Sequence, residues 1–369
     1  MTTIDPPMQV TECVDVGGWA RSYLLSDDAL WLPFWQDDVV ARVSATTFES
    51  VHKTPVGAVR TKPLRAGTHV WVPSYDTETI SCLDPSTGVV ADQIDIGEPT
   101  YSFMRDGTSI WACLFSQLVQ LDVETGIEIN RLRGPDDINT VQFHDGQFWL
   151  RSDLGRNLFT IDPEAGELRQ VTEPGAFTAF SRPEFAFGSA WVPGRGSLLR
   201  IDTGSLGSVG PPMPLADNRR YVTNVVAAFG SIWMAADDDE LWRIDPATHE
   251  MQHIGRGGGE ETIIFPAGDY LLVGKFGGRL TVYSGETGET ILELDYPAQP
   301  MIEALGCVWL IDGETGSVNR MRLADMSITS LDLREEIEFT HPEFAGVSWL
   351  AQVGDSIVAH IEGKLARFK

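Results

Sequence analysis

At nine points spaced about forty residues apart, the chain places polar side chains where a β-strand is expected to begin. They are Arg21, Arg60, Tyr101, Asn139, Arg182 with Glu184, Asn224, Glu261, Glu303, and His341 with Glu343. His341 is the one whose ordinary pKa lies near neutrality, which suits it to general base work, with Glu343 placed to orient its ring. Tyr101 has a phenol that could donate a proton or bind a substrate oxygen. Arg21, Arg60 and Arg182 could hold a carboxylate or stabilise an enolate, and Asn139 and Asn224 complete a substrate-binding set. Glu184, Glu303 and Glu261 offer the hard oxygens that a divalent cation, magnesium or calcium, prefers. The bland alternative is a water-filled channel that tolerates polar residues, with arginines balancing glutamates.

Other chemistry lacks its residues. There is no G-x-S-x-G elbow for a serine hydrolase and no H-E-x-x-H for a zinc peptidase. The glycine-rich run Gly255–Glu261 has no lysine and no Walker spacing, so it is not a phosphate loop. His52, His69, His144, His249, His253 and His360 fall in outer strands or turns and are expected to pack or to lie at the surface. The four cysteines (Cys13, Cys82, Cys113, Cys307) form no C-x-x-C pair and read as small hydrophobes, without a disulfide or a zinc site.

The elements that position the polar set follow from a tryptophan beat. Trp31, Trp71, Trp111, Trp149, Trp191, Trp233, Trp309 and Trp349 recur at steps of 37 to 42 residues, with Leu272 in the one missed place. Each unit reads alike: a strand ending in Gly or Asp-Gly, a strand carrying the tryptophan, a Leu-x-x-Ile-Asp strand, and a more polar fourth strand. The turn between strands three and four is the most regular part, as in Asp84-Pro85-Ser86-Thr87-Gly88 and Asp162-Pro163-Glu164-Ala165-Gly166. Its aspartate caps the turn and its glycine takes the left-handed position, so these acids are turn residues and not catalysts. Asp245-Pro246-Ala247-Thr248-His249 and Ser284-Gly285-Glu286-Thr287-Gly288 are variants.

Short β-rich units at this period predict an all-β, single-domain β-propeller over 1–369, with four-stranded antiparallel blades. Nine repeats are expected, with eight blades as the alternative. Two alignments fit the end of the chain: one keeps Trp349 as the ninth beat, the other moves that strand to Val358. On the second, the last blade lacks a fourth strand, and Gln9–Gly17 would supply it from the N-terminus and remove exposed edges.

The formal net charge of −26 repels phosphate, which argues against nucleic acid and anionic membranes as partners. No stretch reaches the length of a membrane helix, and the first residues lack the basic and apolar regions of a secretory signal. A cytoplasmic monomer acting on a small-molecule substrate is the expectation.

The Ile-Trp strand followed by Arg-Ile-Asp-Pro-x-Thr-Gly resembles the broad superfamily that includes streptogramin B lyase and the YVTN-type propellers. The lyase is a seven-bladed enzyme that opens a cyclic depsipeptide by elimination, with a histidine base and magnesium. The resemblance implies that Thr340-His341-Pro342-Glu343 stands for its Pro-His segment and Pro99-Thr100-Tyr101-Ser102 for its Pro-Tyr-Gly segment. The leading functional expectation is a lyase-type, ring-opening or ring-forming reaction with His341 as base. The alternatives are a metal-dependent lactonase or other hydrolase, and a propeller that only binds a ligand or protein.

Overall fold

The computed structural model describes residues 7–369 apart from 35, 50, 174, 177–181, 216–219, 238–239, 257–261, 276–277, 295–298, 313–314 and 338–346. The described residues form nine four-stranded antiparallel sheets, the blades of a nine-bladed β-propeller. The single α-helix among them is the short Leu333–Glu336. Among the described residues no helix is long and apolar enough to cross a membrane. Blades 1 to 8 follow the chain in order: 24–55, 64–95, 102–133, 138–170, 184–214, 222–256, 262–294 and 299–332.

Blade 9 decides between the two alignments. Its order is Val10–Asp15, Lys364–Phe368, Ser356–Ile361, Val347–Val353, so the N-terminal segment is its fourth strand. In blades 1, 5, 6 and 8 the tryptophan pairs with an arginine of strand three: Trp31 with Arg42, Trp191 with Arg200, Trp233 with Arg243, Trp309 with Arg320. In blade 9 the residue opposite Arg367 is Val358. Trp349 therefore lies on the first strand of its blade and is not the ninth beat.

The chain falls into two compact units, one of residues 10–170 with 351–369, the other of 1–9 with 171–350. In the first, Trp31 packs on Val70 and Val72 of blade 2, Trp71 on Ile110 and Ala112 of blade 3, and Trp111 on Phe148 and Leu150 of blade 4. In the second, Trp191 packs on Ile232 and Met234 of blade 6, Trp233 on Leu271 and Val273 of blade 7, and Leu272 on Val308 and Leu310 of blade 8. The core thus lies between successive sheets, and one large side chain per sheet fills each gap. That demand, repeated once per blade, is the physical cause of the beat.

In blades 1, 5 and 6 the arginine opposite the tryptophan fastens its blade to the next. Arg42 sits 5.9 Å from the Trp31 ring centre and donates from Nε to the Pro85 carbonyl at 2.9 Å. Arg200 and Arg243 repeat this over Trp191 and Trp233, reaching the carbonyls of Pro246 and Glu286. Arg367 lies 4.3 Å from the Phe48 ring centre and donates to the carbonyls of Ala45 and Thr46, the same fastening from blade 9 to blade 1.

The expected turns form as read. The Asp84 carboxylate accepts from the amides of Ser86 and Thr87 at 2.9 and 2.8 Å, and Gly88 has φ +79°. His249 takes the left-handed position of its turn at φ +63° and sets its ring against the Arg200 guanidinium. All four cysteines are free thiols, with Cys82, Cys113 and Cys307 buried and Cys13 exposed.

Candidate functional site

The connections leading into first strands and the loops between strands two and three share one end of each sheet. In the first unit they bring together three of the polar residues singled out above. The loop after strand two of blade 2 is drawn onto the connection from blade 1. Tyr75 N donates to the Ala58 carbonyl at 2.8 Å, and Ala58 N donates to Asp76 Oδ1 at 2.8 Å. Ser74 Oγ donates to the same Asp76 oxygen at 2.7 Å. Those two bonds, Ser74's the larger, hold the Asp76 carboxyl below the usual carboxylate range. The approach is close because Gly57, at φ +79°, has no Cβ; one there would stand 2.3 Å from Ser74 Oγ.

This fastening sets Tyr75 under Arg60. The guanidinium carbon lies 3.7 Å from the ring centre, a close cation–π stack. Tyr101 meets Tyr75 edge-on, with ring centres 5.6 Å apart at 88°. Burial, a hydrogen bond to Tyr75 and the nearby Tyr75 and Asp137 acids push the Tyr101 phenol up to about 12, against the opposing pull of Arg60. Tyr101 is therefore a protonated phenol at neutral pH, suited to bonding a substrate oxygen and not to removing a proton.

Arg60 and Arg21 line one cleft of about 470 Å³ with Ser22, Pro33 and Val59. Next to it in sequence, Lys62 lies 5.4 Å from the centre of the Tyr23 ring, whose phenol burial pushes up. Cations thus alternate with tyrosines at this end of blades 1 to 3.

The other residues are placed differently. Asn139 lies in a closed trio: its amide donates to Asp153 at 2.6 Å and its oxygen accepts from Arg151 at 2.7 Å, while Arg151 also pairs with Asp153 at 3.0 Å. In the second unit, Glu184 Oε1 accepts from Ala227 N at 3.0 Å and Asn224 Nδ2 donates to the Thr262 carbonyl at 3.0 Å. Each bond ties one blade to the first strand of the next. Burial pushes the Glu184 carboxyl up, partly offset by the Ala227 bond. Arg182 and Glu303 are exposed near and on the first strands of blades 5 and 8. Glu261, His341 and Glu343 lie outside the described residues.

Among the described residues, no three His, Cys, Asp or Glu side chains stand together as a metal-ligand group. Glu184, the half-buried member of the proposed set, already spends an oxygen on a backbone amide.

Tyr75, Asp137, Arg151 and Asp153 were not singled out by sequence. Tyr75 sits in the loop between strands two and three of blade 2, whose residues differ from blade to blade, so only its contact with Arg60 reveals it.

No protein-family model matches the chain, and no curated protein matches it. Solved structures do. BamB from Moraxella catarrhalis is 10% identical, with 99% of this chain and 98% of that one covered at a TM-score of 0.57. The dihydro-heme d1 dehydrogenase NirN, solved in complex with DHE, is 13% identical over 88% and 81%, also at 0.57. Apo AztD from Citrobacter koseri is 12% identical over 80% and 92%, at 0.51. Identities this low show a shared fold alone. One of these proteins is a dehydrogenase and the others carry different names, so the fold selects no activity by itself.

Proposed function

We propose that the first-strand end of blades 1 to 3 binds a small carboxylate-bearing molecule, with Arg21 and Arg60 taking the carboxylate and Tyr101 a second oxygen. The stack of Arg60 on Tyr75 beside a cleft shared with Arg21 carries this reading. A stacked guanidinium is held in one orientation, so less side-chain freedom is lost when its planar fork meets a carboxylate. Tyr101 adds a neutral donor at a distance the two rings fix.

The catalytic form of this reading adds His341 as the base of a lyase-type or ring-opening step, with Glu343 orienting it. Binding and catalysis separate by experiment. Calorimetric titration with small mono- and dicarboxylates tests the binding site: Arg60→Ala and Arg21→Ala should each weaken binding about 10- to 100-fold, the equivalent of about 1.5–3 kcal/mol for a charge-assisted pair. Binding unchanged in both variants sinks the site. His341→Ala should then abolish turnover of any identified substrate while leaving carboxylate affinity intact.

A further inference from the structure

Blade 7 departs from the repeat at one turn. Blades 2, 4 and 6 open the turn between strands three and four with Asp-Pro, and blade 7 opens it with Ser284-Gly285. A Cβ on Gly285 would stand 2.5 Å from the ring of Phe229, so the ring occupies space that any side chain there would deny it. Phe229 reaches that place from the hairpin between strands one and two of blade 6. Its φ is +52°, a left-handed conformation that a bulky side chain adopts at a cost and that Asn, Asp or Gly would adopt more readily. Phe187 holds the corresponding position in blade 5, where the next turn carries Pro246, and its side chain is 46% exposed. Phe229 is half-buried.

The cost at Phe229 builds one side chain of a cleft. Phe229, Tyr270 and Ile291 line a cavity of about 510 Å³ together with Asp269, Glu286 and Arg243. The arginine already serves the fold: Nε donates to Ser231 Oγ at 2.9 Å, Nη1 donates to the Glu286 carbonyl, and the guanidinium lies 5.3 Å from the Trp233 ring centre. Two carboxylates and two aromatic rings remain to face an occupant.

We propose that this cleft is a binding site for a small organic cation, an ammonium group carrying an apolar body. Aromatic faces attract such a cation through the ring quadrupole, the carboxylates supply charge, and Ile291 contacts the apolar part. The net charge of −26 draws cations toward the whole chain, and the rings make this place selective for organic ones.

The test is titration of the purified protein with tetramethylammonium, followed by NMR, beside tert-butanol as a neutral probe of similar shape. The wild type should show saturable binding of the ammonium, at least tenfold tighter than of the alcohol. Phe229→Gly removes the ring and also the left-handed strain, so it should stay folded by its melting transition and lose at least tenfold in affinity. Asp269→Asn with Glu286→Gln changes exposed side chains that no backbone contact requires, and should weaken binding by a similar factor. No saturable binding to the wild type, equal uptake of tert-butanol, or unchanged affinity in both variants would overturn the proposal.

Discussion

Arg60 rests on Tyr75 at 3.7 Å, and Tyr75 in turn meets Tyr101 edge-on at 5.6 Å. A residue of the variable loop between strands two and three thereby joins two residues that sequence spacing had put one blade apart. The middle member should control both neighbours. Tyr75→Leu removes the stack and should weaken carboxylate binding by about 2- to 30-fold, since a cation–π contact contributes roughly 0.5–2 kcal/mol. Tyr75→Phe keeps the stack but removes the hydrogen bond that raises Tyr101, so the Tyr101 phenol should titrate below about 12 in an ultraviolet pH titration. An unmoved Tyr101 titration would show that the hydrogen bond is not made.

His360 gives the protein a stability that depends on pH between about 4 and 6.5 and has no part in the proposed sites. Its side chain is fully buried on strand two of blade 9 with Nε2 3.1 Å from the Gly18 carbonyl, and burial pushes its pKa from 6.5 down to about 4. Between those values the unfolded chain binds a proton that the folded chain refuses. Stability is therefore full above pH 6.5 and falls as the pH drops toward 4, by up to roughly 3 kcal/mol. Urea midpoints at pH 7.5 and 4.5 should differ more for the wild type than for His360→Gln.

The turn aspartates act at lower pH. Hydrogen bonds from Ser86 and Thr87 bring Asp84 down to about 2 from 3.8. A depressed carboxyl contributes stability that is present above pH 3.8 and lost as the pH falls through about 2. Asp84→Asn keeps an acceptor for the turn amides and Asp84→Ala removes it, so the alanine variant should show the lower melting temperature at pH 7. Equal melting of the two would deny the carboxylate its capping role.

Blade 9 closes through Arg367, whose side chain is 13% exposed and bonds Glu12 at 2.6 Å in addition to two carbonyls of blade 1. Arg367→Ala strips the partner from the carbonyl of buried Ala45 and removes the stack on Phe48, and should cost about 2 kcal/mol in chemical denaturation. Glu12 is 42% exposed, and Glu12→Gln should change stability by less than about 1 kcal/mol. The opposite ranking would place the closure in the ion pair and not in the backbone contacts.

Glu184 separates a structural from a metal-binding role. Its raised carboxyl pKa means that the charged form costs stability as the pH rises through that value, while stability is full below 4.5. Glu184→Gln keeps an acceptor for Ala227 N, so in chelator-treated protein at pH 7 it should melt at or above the wild type. If Glu184 ligates a cation, added calcium or magnesium would raise the melting temperature of the wild type and not of the variant.

Blade number, strand order and turn chemistry were legible because each depends on contacts made once per repeat. A large side chain must fill the gap between successive sheets, and it returns wherever a sheet does. Trp349 misled for the same reason: it falls at the right interval, and only its pairing shows that strand two of blade 9 is Ser356–Ile361. The polar residues near strand starts were legible as positions but not as roles. Asn139, Glu184 and Asn224 look like ligands in a list of side chains, and the folded chain has them bonding neighbouring side chains or the next blade's backbone.

What the sequence determined alone is therefore the periodic part: nine sheets, a large core residue recurring from sheet to sheet, and the turns after strand three, while the N-terminal strand of the last sheet was one of two alignments that only the strand pairing decided. The tertiary structure decided which side chains meet across connections of unequal length, where no period constrains the pairing. Arg60 finds Tyr75 because Gly57 lets a loop close onto its neighbour, and Phe229 finds its cleft because Gly285 has no side chain. Such contacts depend on atoms a few ångströms apart that are about fifteen to sixty residues apart in the chain, and no local pattern encodes them.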